Sequence, residues 1–240
     1  LNKLKKNEYN KILLFLLIVK MATTKKKTKI TEPLKLFYNS PHIIEAGVDE
    51  CGRGSLISRV YAGAVIWDPS IESPLIKDSK KIKKETDFNM AYDFIRENAI
   101  DFAVAYVEAD EIDQINILQA SMKAMHLALD KLGLRPQHVI TDGNHFNHYM
   151  DRFNDDEVVP HTTIISGDAL YYSVAAASIL AKVERDRYMV QLCEENPDLN
   201  VYGIAKNKGY ASAGHREAIK QWGISQYHRK TFGICKQYSI

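Results

Sequence analysis

Cysteine is scarce in this 240-residue chain, which holds only Cys51, Cys193 and Cys235. Thiols so few and so scattered build neither a disulfide framework nor a Cys-x-x-Cys metal site, and they suit a reducing, cytosolic compartment. A membrane-spanning stretch is also missing, because the apolar run from Ile12 to Val19, set between lysines, is too short to cross a bilayer. No small-residue cleavage site follows that run, which argues against a signal peptide, and Met21 opens a second, lysine-rich start that we read as the true first residue. Charge of one sign is not in excess: 32 Lys+Arg stand against 30 Asp+Glu, a formal net charge of +2. Local basic patches therefore matter more than the total, with Lys25, Lys26, Lys27 and Lys29 in the N-terminal arm and Lys77, Lys80, Lys81, Lys83 and Lys84 further in. Internal repeats and long low-complexity tracts are lacking as well.

What is present is a composition of 45% apolar and 26% charged residues, enough for one sizeable core with a small appended subdomain. Residues 1–42 read as a basic, flexible arm broken by Pro33 and Pro41. Apolar and β-branched runs predict strands at 43–48, 60–67, 102–107, 138–141 and 162–165. Helical spacing predicts helices over 86–98, 109–113 and 117–132, then a long one over 169–193 whose Ala175, Ala176, Ala177 and Ala181 permit close packing on a sheet. Strands first and helices after imply an α/β fold, a mixed sheet flanked by helices over 43–195, with 196–240 as a helical C-terminal segment.

The most informative stretch is Gly47-Val48-Asp49-Glu50-Cys51-Gly52-Arg53-Gly54. A strand that runs into two acids and a Gly-Arg-Gly turn exposes charge at a strand end, although one Asp-Glu pair before glycine is equally an ordinary polar turn. Asp142, closing an apolar strand, and Asp168, ahead of the long helix, are placed to join Asp49. Singly, the first is a turn residue and the second an N-terminal helix acid. Together they form an oxygen-rich set suited to Mg²⁺ or Mn²⁺. Adjacent strand residues face opposite ways, so Asp49 and Glu50 need a bend to reach one site, and Gly52 and Gly54 can supply it. Exposed amides beside Arg53 suit a phosphate or a ribose hydroxyl.

With Asp78-Ser79-Lys80-Lys81, Asn116-Ile117-Leu118, Asp142-Gly143-Asn144, Gly167-Asp168, Ala175 to Lys182, Lys208-Gly209-Tyr210 and His228-Arg229 in this order, the chain resembles type 2 ribonuclease H, or ribonuclease HII, from Ile43 to Gly233. The resemblance implies a ribonuclease H-like fold with a central mixed five-stranded sheet, flanking helices and a C-terminal helical segment that holds the substrate. It implies an endonuclease that cuts the RNA strand of RNA/DNA hybrids and 5′ of ribonucleotides embedded in duplex DNA, leaving 3′-hydroxyl and 5′-phosphate ends, in DNA replication and repair. It assigns the catalytic metals, two Mg²⁺ or Mn²⁺ ions, to Asp49, Glu50, Asp142 and Asp168. By the same carry-over Gly52, Arg53 and Gly54 recognise the ribose 2′-hydroxyl, Tyr210 lies against the next deoxyribose, and Ser79 and Lys80 contact the phosphate backbone. The implied partner is nucleic acid, with no membrane association and a monomeric protein.

Departures from the family pattern are Ile57-Ser58-Arg59 in place of the commoner Ala-Gly-Pro, Ser166 in place of lysine, and Ala211-Ser212 in place of Pro-Thr. Ser166 removes a positive charge near the acids, and Ala211-Ser212 is expected to loosen the loop that carries Tyr210. The related type 3 enzymes carry a folded N-terminal domain, for which the 42 residues before the first strand are too few and too polar. A non-catalytic binder on this fold would be expected to lack one of the acids. His145, His148 and His161 match no compact zinc motif and read as surface histidines. Tyr171, Tyr172 and Tyr188 read as helix packing residues rather than base-stacking platforms. Lys182 and Arg185 either reach the substrate or flank the buried face, and Cys51 is either an exposed thiol at the substrate entrance or a small buried hydrophobe.

Overall fold

The computed structural model describes residues 33–153 and 157–239, so the arm before Pro33, with Met21 and the Lys25–Lys29 patch, lies outside the described residues. Five strands form the central sheet: β1 (Glu45–Cys51), β2 (Val60–Ile66), β3 (Asp101–Val107), β4 (His138–Asp142) and β7 (His161–Ile164), in the order β3-β2-β1-β4-β7. β2 runs antiparallel to both β1 and β3, whereas β4 runs parallel to both β1 and β7. A short hairpin, β5 (Tyr149–Asp151) with β6 (Glu157–Val159), pairs outside this sheet.

The alternation along β1 decides which side chain faces which helix. Ala46 and Val48 pack with Ala120, Ala124 and Ala128 of α3 (Ile117–Asp130) on one face. Gly47 lies on the other, where an added Cβ would fall 2.5 Å from the Ser173 and Val174 backbone of α4 (Tyr172–Glu195). Gly63 on β2 meets the same helix, its missing Cβ 2.4 Å from the Ala177 carbonyl oxygen. α4 thus lies directly on the sheet, and its alanines join Trp67, Val65 and, from α1 (Glu85–Asn98), Tyr92 and Ile95 in a second core. The short α2 (Ala109–Ile115) precedes α3, whose start is capped by the Asn116 side chain accepting from the Leu118 and Gln119 amides.

Beyond α4 the chain forms α5 (Ile204–Asn207), α6 (Ala213–Trp222) and short 3₁₀ turns. Leu199, Tyr202, Ile219 and Cys235 from this region bury Leu56 and Ile57, together with Met189 and Leu192 of α4, in a third cluster. The loop after Gly54 is therefore enclosed by the C-terminal segment.

Several boundaries differ by a few residues from the sequence reading, and two of them bear on the site. β1 runs on through Cys51 because Asp49, Glu50 and Cys51 keep their ladder with Gly63, Ala62 and Tyr61, so both acids lie within the strand. α4 starts at Tyr172, not 169, because the chain before it is held by Leu34–Leu36: Lys35 donates to the Leu170 carbonyl and accepts from the Tyr172 amide, each at 2.8 Å. Leu34 and Leu36 accordingly pack against the second core.

Candidate active site

Parallel pairing of β1 with β4 sets Val48 opposite Thr141, so the next residues, Asp49 and Asp142, emerge side by side where that pairing ends. The Gly167 amide, following β7, donates to Asp142 Oδ1 (2.7 Å) and draws the third acid, Asp168, up to them. Asp168 is not a helix N-terminal acid as its sequence position suggests. It sits in a 3₁₀ turn, Gly167–Ala169, ahead of α4 and is 1% exposed. Glu50 reaches the same place from the adjacent position, and the chain then turns sharply at Gly52, whose φ of +95° few other residues tolerate.

These groups open onto a cleft of about 390 Å³. Its lining includes Asp49, Glu50 and Asp142, and also the whole Gly52-Arg53-Gly54 turn. Ser79, Lys80 and Tyr210 complete the set, so every site residue read from sequence lines the cleft except Asp168, which lies behind Lys80.

The electrostatics are those of acids crowded together. Burial, then the charges of Glu50 and Asp142, pushes Asp49 well above the ordinary carboxylate range against the opposing Ser178 hydroxyl. Burial also raises Glu50, opposed by Arg53, and raises Asp142, to which Asp168 adds. Cationic side chains partly relieve this. Lys80 Nζ stands 2.8 Å from Asp168 Oδ2 and Arg53 Nη1 3.0 Å from Glu50 Oε1. Lys80 thereby supplies, from another loop, a positive charge that Ser166 does not. Among the described residues no three acid, histidine or cysteine side chains close around one point as they stand. The donor set still fits a hard cation: all its atoms are oxygens, and Asp168 Oδ1 is buried without any hydrogen-bond partner.

The family model for ribonuclease HII matches residues 46–235. A ribonuclease HII of Bacteroides thetaiotaomicron is 47% identical over 197 residues, covering 82% of this chain and 93% of that protein, and one of Porphyromonas gingivalis is 43% identical over 195 residues, 81% and 92% respectively. The chain belongs to the ribonuclease HII family. It is by family an endoribonuclease, a hydrolase. The crystal structure of ribonuclease H2 from Pyrococcus horikoshii is similar with a TM-score of 0.63 and 26% identity, over 81% of this chain and 96% of that one. That of Bst-RNase HIII in complex with Mn²⁺ shares the fold at a TM-score of 0.62 and 19% identity, over 81% of this chain and 68% of that one.

The family's departures find structural reasons here. Ser58, where glycine is commoner, adopts a φ of +71° while buried. Arg59, where proline is commoner, lies between the rings of Tyr106 (3.9 Å) and Tyr188 (3.8 Å) and pairs with Glu108 (2.7 Å). Ser58→Gly is expected to raise the melting temperature by about 1–3 °C, since relief of about 1–2 kcal/mol of left-handed strain exceeds glycine's entropic cost of about 0.5–1 kcal/mol. A lower melting temperature by calorimetry would show that the Ser58 side chain stabilises the loop. Ser212 caps α6 by accepting from the His215 amide (3.1 Å), so Ala211-Ser212 leaves that end fixed.

Other residues resolve more simply. Tyr172 packs on Trp67 with ring centroids 4.8 Å apart, and Tyr171 is buried. His148 and His161 face each other at 5.4 Å beside Phe146. Cys51 is half-buried at the cleft, and burial pushes its thiol up to about 11, which leaves little reactive thiolate at neutral pH. Lys182 pairs with Asp186, whereas Arg185 is buried beneath the cleft, its guanidinium 4.8 Å from the Tyr210 ring centroid. Sequence reasoning passed over Ser178, which shares a 3.0 Å hydrogen bond with Ser79 and faces Asp49. Its one signal is a hydroxyl within a run of alanines on α4. Among the described residues no helix is long and apolar enough to cross a membrane.

Proposed function

We propose that this chain is a metal-dependent endonuclease that hydrolyses the RNA strand of RNA/DNA hybrids and cuts 5′ of ribonucleotides embedded in duplex DNA, leaving 3′-hydroxyl and 5′-phosphate ends. The observation that carries this reading is the convergence of Asp49, Glu50, Asp142, the Gly-Arg-Gly turn and Tyr210 on one cleft, with Asp168 bonded to the cleft residue Lys80, although they come from separate parts of the chain.

In this reading Asp49, Glu50, Asp142 and Asp168 hold divalent Mg²⁺ or Mn²⁺. Bound there, two such ions supply charge that activates a water on one side of the phosphodiester and stabilises the leaving oxygen on the other. The chain's own groups do the rest. Ser79 and Lys80 engage the backbone phosphate, and Lys80, poised at Asp168, brings its charge to the side where the scissile phosphate lies. Amides of the Gly52-Arg53-Gly54 turn engage the ribose 2′-hydroxyl, the group that separates RNA from DNA. The Tyr210 ring, 41% exposed and close enough to Gly54 that an added Cβ there would lie 3.7 Å away, packs against the next sugar and disfavours a hydroxyl on it. Residues 196–240 act as the segment that holds the duplex, and the enzyme acts as a cytosolic monomer in ribonucleotide removal during DNA replication and repair.

Matched duplexes with zero, one or four ribonucleotides, assayed with Mg²⁺ or Mn²⁺, test this. Cleavage is expected only of the ribonucleotide-containing duplexes, and equal cleavage of the all-DNA duplex would remove the assignment. On the same panel Tyr210→Ala is expected to slow cutting at the single ribonucleotide by about tenfold to a hundredfold, the worth of one aromatic contact to nucleic acid, while sparing cleavage within the four-ribonucleotide run. Equal losses on both, with a lowered melting temperature, would reduce Tyr210 to a packing residue.

A further inference from the structure

Three side chains with no part in the reading above are completely buried beneath it: His215, His228 and Arg229. Arg229 donates all around its guanidinium to backbone carbonyls of a single loop, Nη1 to Arg53 (3.0 Å), Nε to Ser58 (2.8 Å) and Nη2 to Arg59 (2.8 Å). No carboxylate lies within ion-pair distance of it among the described residues. A buried cation of this kind is costly unless its hydrogen bonds are met, and its rigid planar fork fixes the three carbonyls relative to one another. The Arg53 carbonyl shares a peptide plane with the Gly54 N–H, and in a trans peptide the two point opposite ways. Pinning that carbonyl beneath the loop turns the Gly54 N–H away from Arg229, and among the described residues it donates to no protein acceptor.

The neighbouring residue reaches Tyr210. His228 Nδ1 accepts from the Ser225 amide (2.9 Å), which leaves its Nε2 as the donor to His215 Nε2 (3.0 Å). His215 Nδ1 in turn donates to the Tyr210 carbonyl (3.0 Å). Two neutral imidazoles satisfy this chain in one direction only, and burial lowers both, His228 to about 3. The rings are held by Tyr202, 4.8 Å from His228 and 5.9 Å from His215.

We propose that His215, His228 and Arg229 are positioning residues that set the Gly52–Gly54 turn and Tyr210 at a fixed separation, and so set the preference for a ribonucleotide followed by a deoxyribonucleotide. This rests on the proposed roles of that turn and of Tyr210. Two ratios test it, each measured within one protein preparation so that a partly unfolded fraction cancels. The first is the affinity for a one-ribonucleotide duplex over an all-DNA duplex, by fluorescence anisotropy in Ca²⁺. The second is the cleavage rate at one ribonucleotide over that within four.

Arg229→Lys keeps the charge but loses the fork and is expected to bring the first ratio close to one. His215→Leu is expected to lower the second by about tenfold, approaching the Tyr210→Ala effect, and His215→Asn, whose Nδ2 takes the place of Nδ1, to restore it to within about twofold. In Tyr210→Ala the His215→Leu change should add nothing further. Wild-type ratios of one, or a Tyr210→Ala protein with an unaltered second ratio, would overturn the reading of the cleft and this proposal with it. Normal behaviour in those controls together with unaltered ratios in Arg229→Lys and His215→Leu would overturn the positioning role alone.

Discussion

Asp49→Asn is expected to lower metal-dependent cleavage by at least about a thousandfold, as loss of a central catalytic group does, while the protein remains folded. Asparagine preserves the shape of a side chain that is 5% exposed and keeps an oxygen to accept the Glu50 amide, now at 2.8 Å from Oδ1. What it removes is charge. In the metal-free protein Asp49, Glu50 and Asp142 are all held above ordinary carboxylate values, by burial first and by neighbouring carboxylates after it. A folded state that binds protons more tightly than the unfolded chain loses stability as pH rises from the unfolded carboxylate value, about 4, through the raised folded values. The substitution takes one such group away. The variant should therefore melt at the same temperature as the wild type or higher near neutral pH, and its melting point should fall less on going from about pH 4 to about pH 7. Calorimetric titration should show weakened Mn²⁺ binding. A folded Asp49→Asn protein with near-wild-type turnover would remove the carboxylates from the chemistry.

The largest effect on stability is expected from Gly63→Ala. The new methyl carbon would lie 2.4 Å from the Ala177 carbonyl oxygen and 3.0 Å from its carbon, backbone against backbone, so no rotamer change relieves it. Either α4 or β2 must move. Both are central, since Ala175, Ala176 and Ala177 are fully buried and Gly63 pairs with Asp49 on one side and Val104 on the other. The expected cost is about 3 kcal/mol or more, which for a chain of this size lowers the melting temperature by about 6–12 °C. Gly214→Ala is the control, because nothing lies within 4 Å of its missing Cβ and it sits in α6, where alanine is the better helix former. A Gly63→Ala protein that melts within about 2 °C of wild type would mean that α4 can lift from the sheet at little cost.

Much of the site was legible because its residues announce themselves locally. Asp49-Glu50 before Gly-Arg-Gly, Asp142 at a strand end and Asp168 after a glycine are short patterns, and all four acids and the turn are brought together. The five sheet strands were legible for a similar reason, each being an apolar or β-branched run bounded by polar residues. The β5–β6 hairpin was not, since strands of three residues carry too little periodicity to register. The end of β1 was placed too early because acids and glycine are poor strand formers, and only the ladder to β2 outweighs that preference.

By itself, then, the sequence determined the candidate reacting groups, the succession of strands and helices along the chain and the family resemblance, all of which depend on residues near one another in the chain. Tertiary structure alone decided which charges are surface charges and which are supports. Nothing in the sequence settles that Arg185, His215 and Arg229 are buried, yet each is. Arg229 is stable there only because carbonyls from positions 53, 58 and 59, at least 170 residues away, meet its nitrogens. Lys80 likewise becomes the partner of Asp168 across 88 residues. The cost of burying a charge is set by the groups that surround it, and those are assembled only when the chain has folded.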